Sequence, residues 1–400
     1  MSLIPKIEKV ARDATISHFS LMFGYKLFSL YFPLFLVARG MSLPEVGYTY
    51  LLIYLPIALI SPLVGFLNHK INPATLASIG ILGYSAYALG MILIRTPALF
   101  YLWQVLLGIS AAMFFVSVRA ILISSRLENY DRAFGWFYTA PFYVDAIAPV
   151  VGAAFIWKFN FTGVFIFSLI IQFFTAIFCL SRLKKSYQKT PHQKLRSGLG
   201  LVSNQVRLWC GIFHKIKEKN ILFPILISFS ILLIGGFYQA FFVLFLKDLL
   251  HWSQNLILIY NSISSLLFLP VSFFVIGLVA RQKSERNIFQ GSFIYGIFSA
   301  LVGFLLSILN FWTILLIMIG QGFGGLMVGA GRSGLLSQKL KENPEEAGAL
   351  DTVFSPLGVA LGALISGTII GFLGYQPLFI LGGIFILIVS LIAKKPSTRA

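Results

Sequence analysis

Apolar residues along this chain fall into long blocks separated by short clusters of charge, proline and glycine. A helix needs about 20 apolar residues to cross the roughly 30 Å of hydrocarbon in a bilayer. Twelve blocks approach or exceed that length. They predict spans over residues 14–38, 44–67, 73–94, 98–123, 133–157 and 161–181 in the first half. The second half adds 221–246, 254–280, 288–309, 311–336, 347–373 and 377–393. Connections are short, as at Arg95-Thr96-Pro97 between spans 3 and 4, so successive spans must run antiparallel as neighbours.

The blocks also repeat. Residues 19–36 (FSLMFGYKLFSLYFPLFL) and 229–246 (FSILLIGGFYQAFFVLFL) share six positions at an offset of 210. Leu55-Pro56 meets Leu269-Pro270 at 214, Arg119 meets Arg332 at 213, and Pro141, Val144 and Gly152 meet Pro356, Val359 and Gly367 at 215. A drift of only 210 to 215 across five spans points to a duplicated six-helix unit. The expected organisation is a first bundle over 1–181, a linker over 182–220, and a second bundle over 221–400.

Composition agrees with this reading. Of 400 residues 58% are hydrophobic and 11% charged, and the mean hydropathy is +0.87. Soluble proteins carry about a quarter charged residues, so most of this surface must face lipid. A formal charge of +18 could indicate nucleic acid, but its placement excludes that partner. With the N-terminus cytoplasmic, 24 of the 31 Lys and Arg lie inside, four outside, and three (Lys26, Arg119 and Arg332) within spans. That is the positive-inside pattern. It predicts a multi-pass protein of a bacterial-type plasma membrane, with both termini cytoplasmic and an anionic inner leaflet as partner.

The N-terminus lacks a small-residue cleavage site, so span 1 is expected to be retained. In the linker, Val202, Val206, Trp209, Phe213 and Ile216 at helical spacing, flanked by Lys and Arg, predict either a basic amphipathic helix on the inner leaflet or a solvated spacer. Cys179 and Cys210 make neither a disulfide scaffold nor a metal site.

Taken together, twelve spans in two similar halves, a basic linker and internal termini resemble the major facilitator superfamily of secondary transporters, over essentially the whole chain. Local motifs match more loosely. The family's loop between helices 2 and 3, GxLaDRxGR, corresponds to Gly65-Phe66-Leu67-Asn68-His69-Lys70-Ile71-Asn72-Pro73, with His69 in place of the acid and Asn72 in place of the second glycine. The helix-4 arginine corresponds to Gln104. The glycine-rich helix-5 antiporter motif is represented by Gly135, Ala148-Pro149 and Gly152-Ala153, and Asp131-Arg132-Ala133-Phe134-Gly135 resembles the Arg-x-x-Gly start of helix 5. The resemblance implies an all-α membrane fold of two pseudo-symmetric six-helix bundles rocking about a central site, with helices 1 and 5 as neighbours facing the cavity.

No nucleophile–base pair, metal cluster or phosphate loop is present, so an enzyme is not expected. Gly320-Gln321-Gly322-Phe323-Gly324-Gly325 lies inside a span, where small residues at spacing four serve close helix packing. The informative residues are charges within spans, each costing at least ~2.5 kcal/mol unpaired at mid-membrane. Lys26 in span 1 and Asp145 in span 5 lie at matching depth and are expected to pair. The bland reading is a static lock between two helices. The functional one is proton coupling, with Lys26 and Asp145 exchanging partners as solute or proton arrives.

Tyr25, Ser29, Tyr138, Gln239, Asn261 and Gln321 are the further cavity candidates. Arg119 and Arg332, near the inner ends of spans 4 and 10, are expected to pair with acids there, and Lys70, Asp131, Arg132 and Asp351 complete an expected cytoplasmic gate. His18 is weighed as a packing residue. The expected function is efflux of a small, partly apolar or amphipathic solute, driven by a proton gradient without a bound cofactor, by a monomer. A sugar or amino-acid importer, a non-transporting receptor and a lipid scramblase are the alternatives.

Overall fold

A computed structural model describes residues 5–38, 40–94, 96–125, 127–187 and 221–393, together with residues 210 and 214. The linker helix expected over 202–216 lies almost wholly outside the described residues. The described chain is helical, and its helices number twelve when two breaks are resolved. Ten stretches are long and apolar enough to cross a membrane, and a bent pair makes an eleventh. The stretch Tyr130–Leu183, at 54 residues, is too long for one crossing, since 1.5 Å per residue would carry it about 80 Å. It breaks at Asn160, whose φ of 58° and ψ of −176° are not helical. The sequence reading places a connection at this point.

The helices are α1 (Lys9–Val37), α2 (Leu43–Lys70), α3 (Pro73–Leu93), α4 (Pro97–Ser124), α5 (130–159), α6 (161–183), α7 (Pro224–Ala240 bent into Phe242–Leu249), α8 (Gln254–Val279), α9 (Ser284–Phe304), α10 (Phe311–Lys339), α11 (Pro344–Leu373) and α12 (Tyr375–Ile392). Their starts follow local chemistry. Ser42 and Glu45 form a capping box at α2. The Asn72 side chain accepts from the Ala74 N–H, with Pro73 as the first residue of α3. Thr96, Asn129, Ser253 and Asn310 likewise take free N–H groups at the starts of α4, α5, α8 and α10. α1 is interrupted between Ser29 and Phe32, where Pro33 removes the N–H that would reach the Ser29 carbonyl. In α7 the two segments meet at 54°, with Phe241 between them.

α1 packs on α5 and α6, α3 on α4 and α6, α7 on α11, and α9 on α10 and α12. Across the two halves, α2 packs on α11, α4 on α11, and α5 on α8 and α10. Backbone contact requires glycine at several crossings. A Cβ on Gly152 of α5 would strike the Leu27 carbonyl of α1, and one on Gly362 of α11 would strike the Leu233 carbonyl of α7. In α10, Gly324 faces the Gly291 carbonyl of α9 and Gly320 faces the Phe298 ring, so the glycine run of span 10 serves packing. The surface carries large apolar side chains such as Leu102, Phe174, Phe274, Leu316 and Phe372. A water-soluble protein would not leave so many exposed, and a bilayer accommodates them.

Candidate functional site

The end of the bundle carrying the starts of α1 and α11 and the last turns of α4 and α10 may be termed the basic end. Asp351 lies there, two turns into α11, and is 1% exposed. The sequence reading sets it at a span end; the structure buries it as a hub. Arg332 Nε lies 2.8 Å from Oδ1 and Arg119 Nε 3.0 Å from Oδ2. The Arg332 contact is an aligned hydrogen bond, whereas Arg119 Nε has no aligned partner and interacts with the carboxylate by charge. Arg119 donates through NH1 to Thr352 Oγ1 and stacks beside the Phe115 and Tyr138 rings. Ser333 Oγ and Tyr138 OH donate to Oδ2 at 2.6 and 3.0 Å.

Arg119 and Tyr138 come from α4 and α5, while Arg332, Ser333, Asp351 and Thr352 come from α10 and α11. The cluster therefore clamps one half to the other. Tyr138, expected in the cavity, belongs to this clamp, because the turn of α5 before Pro141 faces α10.

Other expected gate residues are placed apart from it. Asp131 is buried and accepts from Ser284 Oγ at 3.0 Å and Asn287 Nδ2 at 2.9 Å, a contact of α5 with α9 rather than with an arginine. Arg132 turns the other way, to Glu8 at 3.5 Å and Glu128 at 3.1 Å. Glu128, outside the helices, is held below its ordinary carboxylate range by hydrogen bonds from Lys6 and then Arg132. Lys70 is exposed, its ammonium 4.9 Å from the Phe66 ring centroid. Glu345, at the start of α11, accepts from Tyr187 OH and lies 3.8 Å from His69. This contact was not anticipated, although the histidine in the position of the family's acid was its one visible signal.

Midway along the helices Lys26 of α1 donates to Asp145 of α5. The pair is brought together by the close approach of α1 and α5 at Gly152. Its side chains are 20% and 26% exposed, so the charges are partly desolvated but reachable. Asp145 opens onto a cavity of about 440 Å³. The other walls come from the second half: Gln239 and Tyr238 of α7, Asn261 and Phe268 of α8, Tyr295 of α9, and Gln321 of α10 among them. Gln321 is buried and donates to Ser299 Oγ at 2.8 Å, and Asn261 Nδ2 donates to the main-chain carbonyl of Asp145 at 2.9 Å.

Lys26, Asp145, Gln239, Asn261 and Gln321 thus converge. Tyr25 does not, since it packs edge-on against Phe28 and Tyr84 inside the first half. Ser29 sits at the break in α1, outside the cavity lining. Sequence reasoning missed Tyr238, Tyr260 and Phe268, which the abundance of aromatics hid. His18 is buried among the Phe114, Phe115 and Phe137 rings, as a packing residue would be.

Buried charge, an amide-lined chamber between two helical halves and a clamp across one end form an arrangement suited to enclosing a solute. Comparison with known proteins gives the same direction. No curated protein sequence matches the chain. Among solved structures it is similar to the human organic anion transporter MFSD10 (TETRAN), at 14% identity with a TM-score of 0.68, over 97% of this chain and 100% of that one. At that identity the likeness concerns the fold. A profile of the Major Facilitator Superfamily matches residues 14–349. The chain belongs to the Major Facilitator Superfamily, and is accordingly a multi-pass membrane transporter rather than an enzyme.

Proposed function

We propose that this transporter is a proton-coupled exporter of small, partly apolar solutes, working as a monomer in a bacterial-type plasma membrane with both termini in the cytoplasm. Bundles 1–181 and 221–400 rock about the central cavity, joined by the linker 182–220. The observation that carries the reading is the Lys26–Asp145 pair at the rim of a cavity otherwise built from rings and amides. A proton on Asp145 would cancel the charge that holds Lys26, and a solute in the cavity would compete for the same carboxylate.

Among the described lining residues Asp145 alone carries formal charge. That favours neutral or cationic solutes over the anions named for the fold neighbour. The clamp at Asp351 serves as the cytoplasmic gate in this reading, and export is favoured by the Ala148-Pro149 and Gly152 pattern in α5.

The amides Gln239, Asn261 and Gln321 with Ser264 and Ser265 also suit a polar solute, so import of a sugar or amino acid is the second reading. The test has two steps. Thermal stabilisation of the purified protein across solute classes identifies a ligand, and that ligand then drives proton flux in proteoliposomes. Asp145→Asn is expected to abolish solute-driven proton movement. Unchanged flux in this variant sinks the coupling role, and proton movement in the same direction as solute selects the import reading.

A further inference from the structure

Two carbonyls of α5 lose their helical partners by sequence alone. Pro141 and Pro149 bring no N–H, so the carbonyls four residues earlier, those of Phe137 and Asp145, have no donor within the helix. Side chains from other helices serve both. His18 Nδ1 of α1 lies 2.9 Å from the Phe137 carbonyl, which fixes Nδ1 as the protonated nitrogen. Asn261 Nδ2 of α8 donates to the Asp145 carbonyl at 2.9 Å.

The two caps differ in where they stand. His18 is buried within the first half, so its bond survives any movement of one half against the other. Asn261 belongs to the second half and lines the cavity. Its bond breaks when the halves part at this depth, or when something in the cavity takes its amide.

We infer that Asn261 is the positioning residue that links occupancy of the cavity to α5. A solute carrying a hydrogen-bond acceptor draws the Asn261 amide away, frees the Asp145 carbonyl, and loosens α5 at Pro149 around the residue that holds Lys26. The inference rests on the cavity being the solute site, and it specifies the solute as one bearing an acceptor oxygen or nitrogen. Without solute, the Asn261 bond is one of the ties favouring the present arrangement of the halves.

The full-length chain in lipid nanodiscs provides the test, with spin labels at Ile71→Cys and Lys341→Cys in a Cys210→Ser background. Both labelled positions are exposed and lie at the basic end of different halves. Pulsed electron resonance then reads the separation of the halves with neither solute nor proton gradient present. Asn261→Leu is expected to move the equilibrium about fivefold away from the separation of the present arrangement, the size of one net hydrogen bond. Asn261→Ala, a gentler change to the packing, is expected to move it in the same direction.

In a Pro149→Ala background either change is expected to have little effect, because the restored N–H at position 149 serves the carbonyl from within the helix. Distances unaltered by both Asn261 changes overturn the inference. So does a shift of the same size with and without Pro149, which would make Asn261 a packing residue. Failure of proton coupling at Asp145 leaves all these distances untouched, so the two readings fail separately.

Discussion

Arg119 and Arg332 approach the same carboxylate from opposite halves, and the pairing is unbalanced: two guanidinium groups share Asp351 in a buried setting. Removing one arginine leaves a neutral pair, whereas removing the acid leaves two buried cations with hydroxyl partners only. Stranding a buried charge costs about 3–5 kcal/mol. Asp351→Asn is therefore expected to lower the thermal midpoint of the purified protein well beyond Arg332→Met or Arg119→Met. Equal losses in all three would show that the cluster acts by packing.

The sequence made part of this legible. Matching depth was enough to join Lys26 to Asp145, because an unpaired mid-membrane charge is costly and few partners exist. It was not enough to place Tyr138, since facing α10 rather than the cavity depends on the path of α5 past its prolines. Nor did it distinguish Asp131 from Asp351, both acids near helix starts. One is buried against Ser284 and Asn287, the other against arginines, and only the packing of α9 and α11 decides which.

Among the helices, the contact of α1 with α5 sets the ion pair, and glycine sets that contact. Gly152 sits against the Leu27 carbonyl, one residue from Lys26. Gly152→Val is expected to force the two helices apart, with a stability loss of about 1–3 kcal/mol from overpacking and loss of transport. Gly235 of α7 is the counterpart case: a Cβ there meets nothing within 4 Å, yet the residue lines the cavity. Gly235→Val is expected to keep the thermal midpoint and weaken binding of whichever solute stabilises the parent protein. If Gly152→Val also keeps its midpoint, the crossing is looser than the contact implies.

All twelve spans were readable from run length. What was not readable is how some of them end. The 54° bend of α7 at Phe241 is a tertiary compromise within a run that looks uniform. The cavity suffered from the same limitation. Its walls come from α7, α8, α9 and α10 with α5, and periodicity within one helix does not reveal which faces of five helices meet.

Taken as a whole, the molecule separates its chemistry by depth. The clamp at the basic end joins the two halves, and the cavity with Lys26 and Asp145 lies at mid-depth. In the proposed orientation, the 24-to-4 distribution of Lys and Arg sets the basic end in the cytoplasm. On that orientation, the present arrangement blocks the cavity from the cytoplasm, and an exporter loads only after the Asp351 clamp opens. The orientation is directly testable. Lys158, exposed beside the break between α5 and α6, lies at the opposite end from Ile71, exposed after α2. In a Cys210→Ser background, Lys158→Cys is expected to react with a membrane-impermeant maleimide in intact cells, and Ile71→Cys only after permeabilisation. The reverse pattern would turn the clamp outward. The same Arg–Asp cluster would then guard the external mouth, and the present arrangement would block the cavity from outside instead.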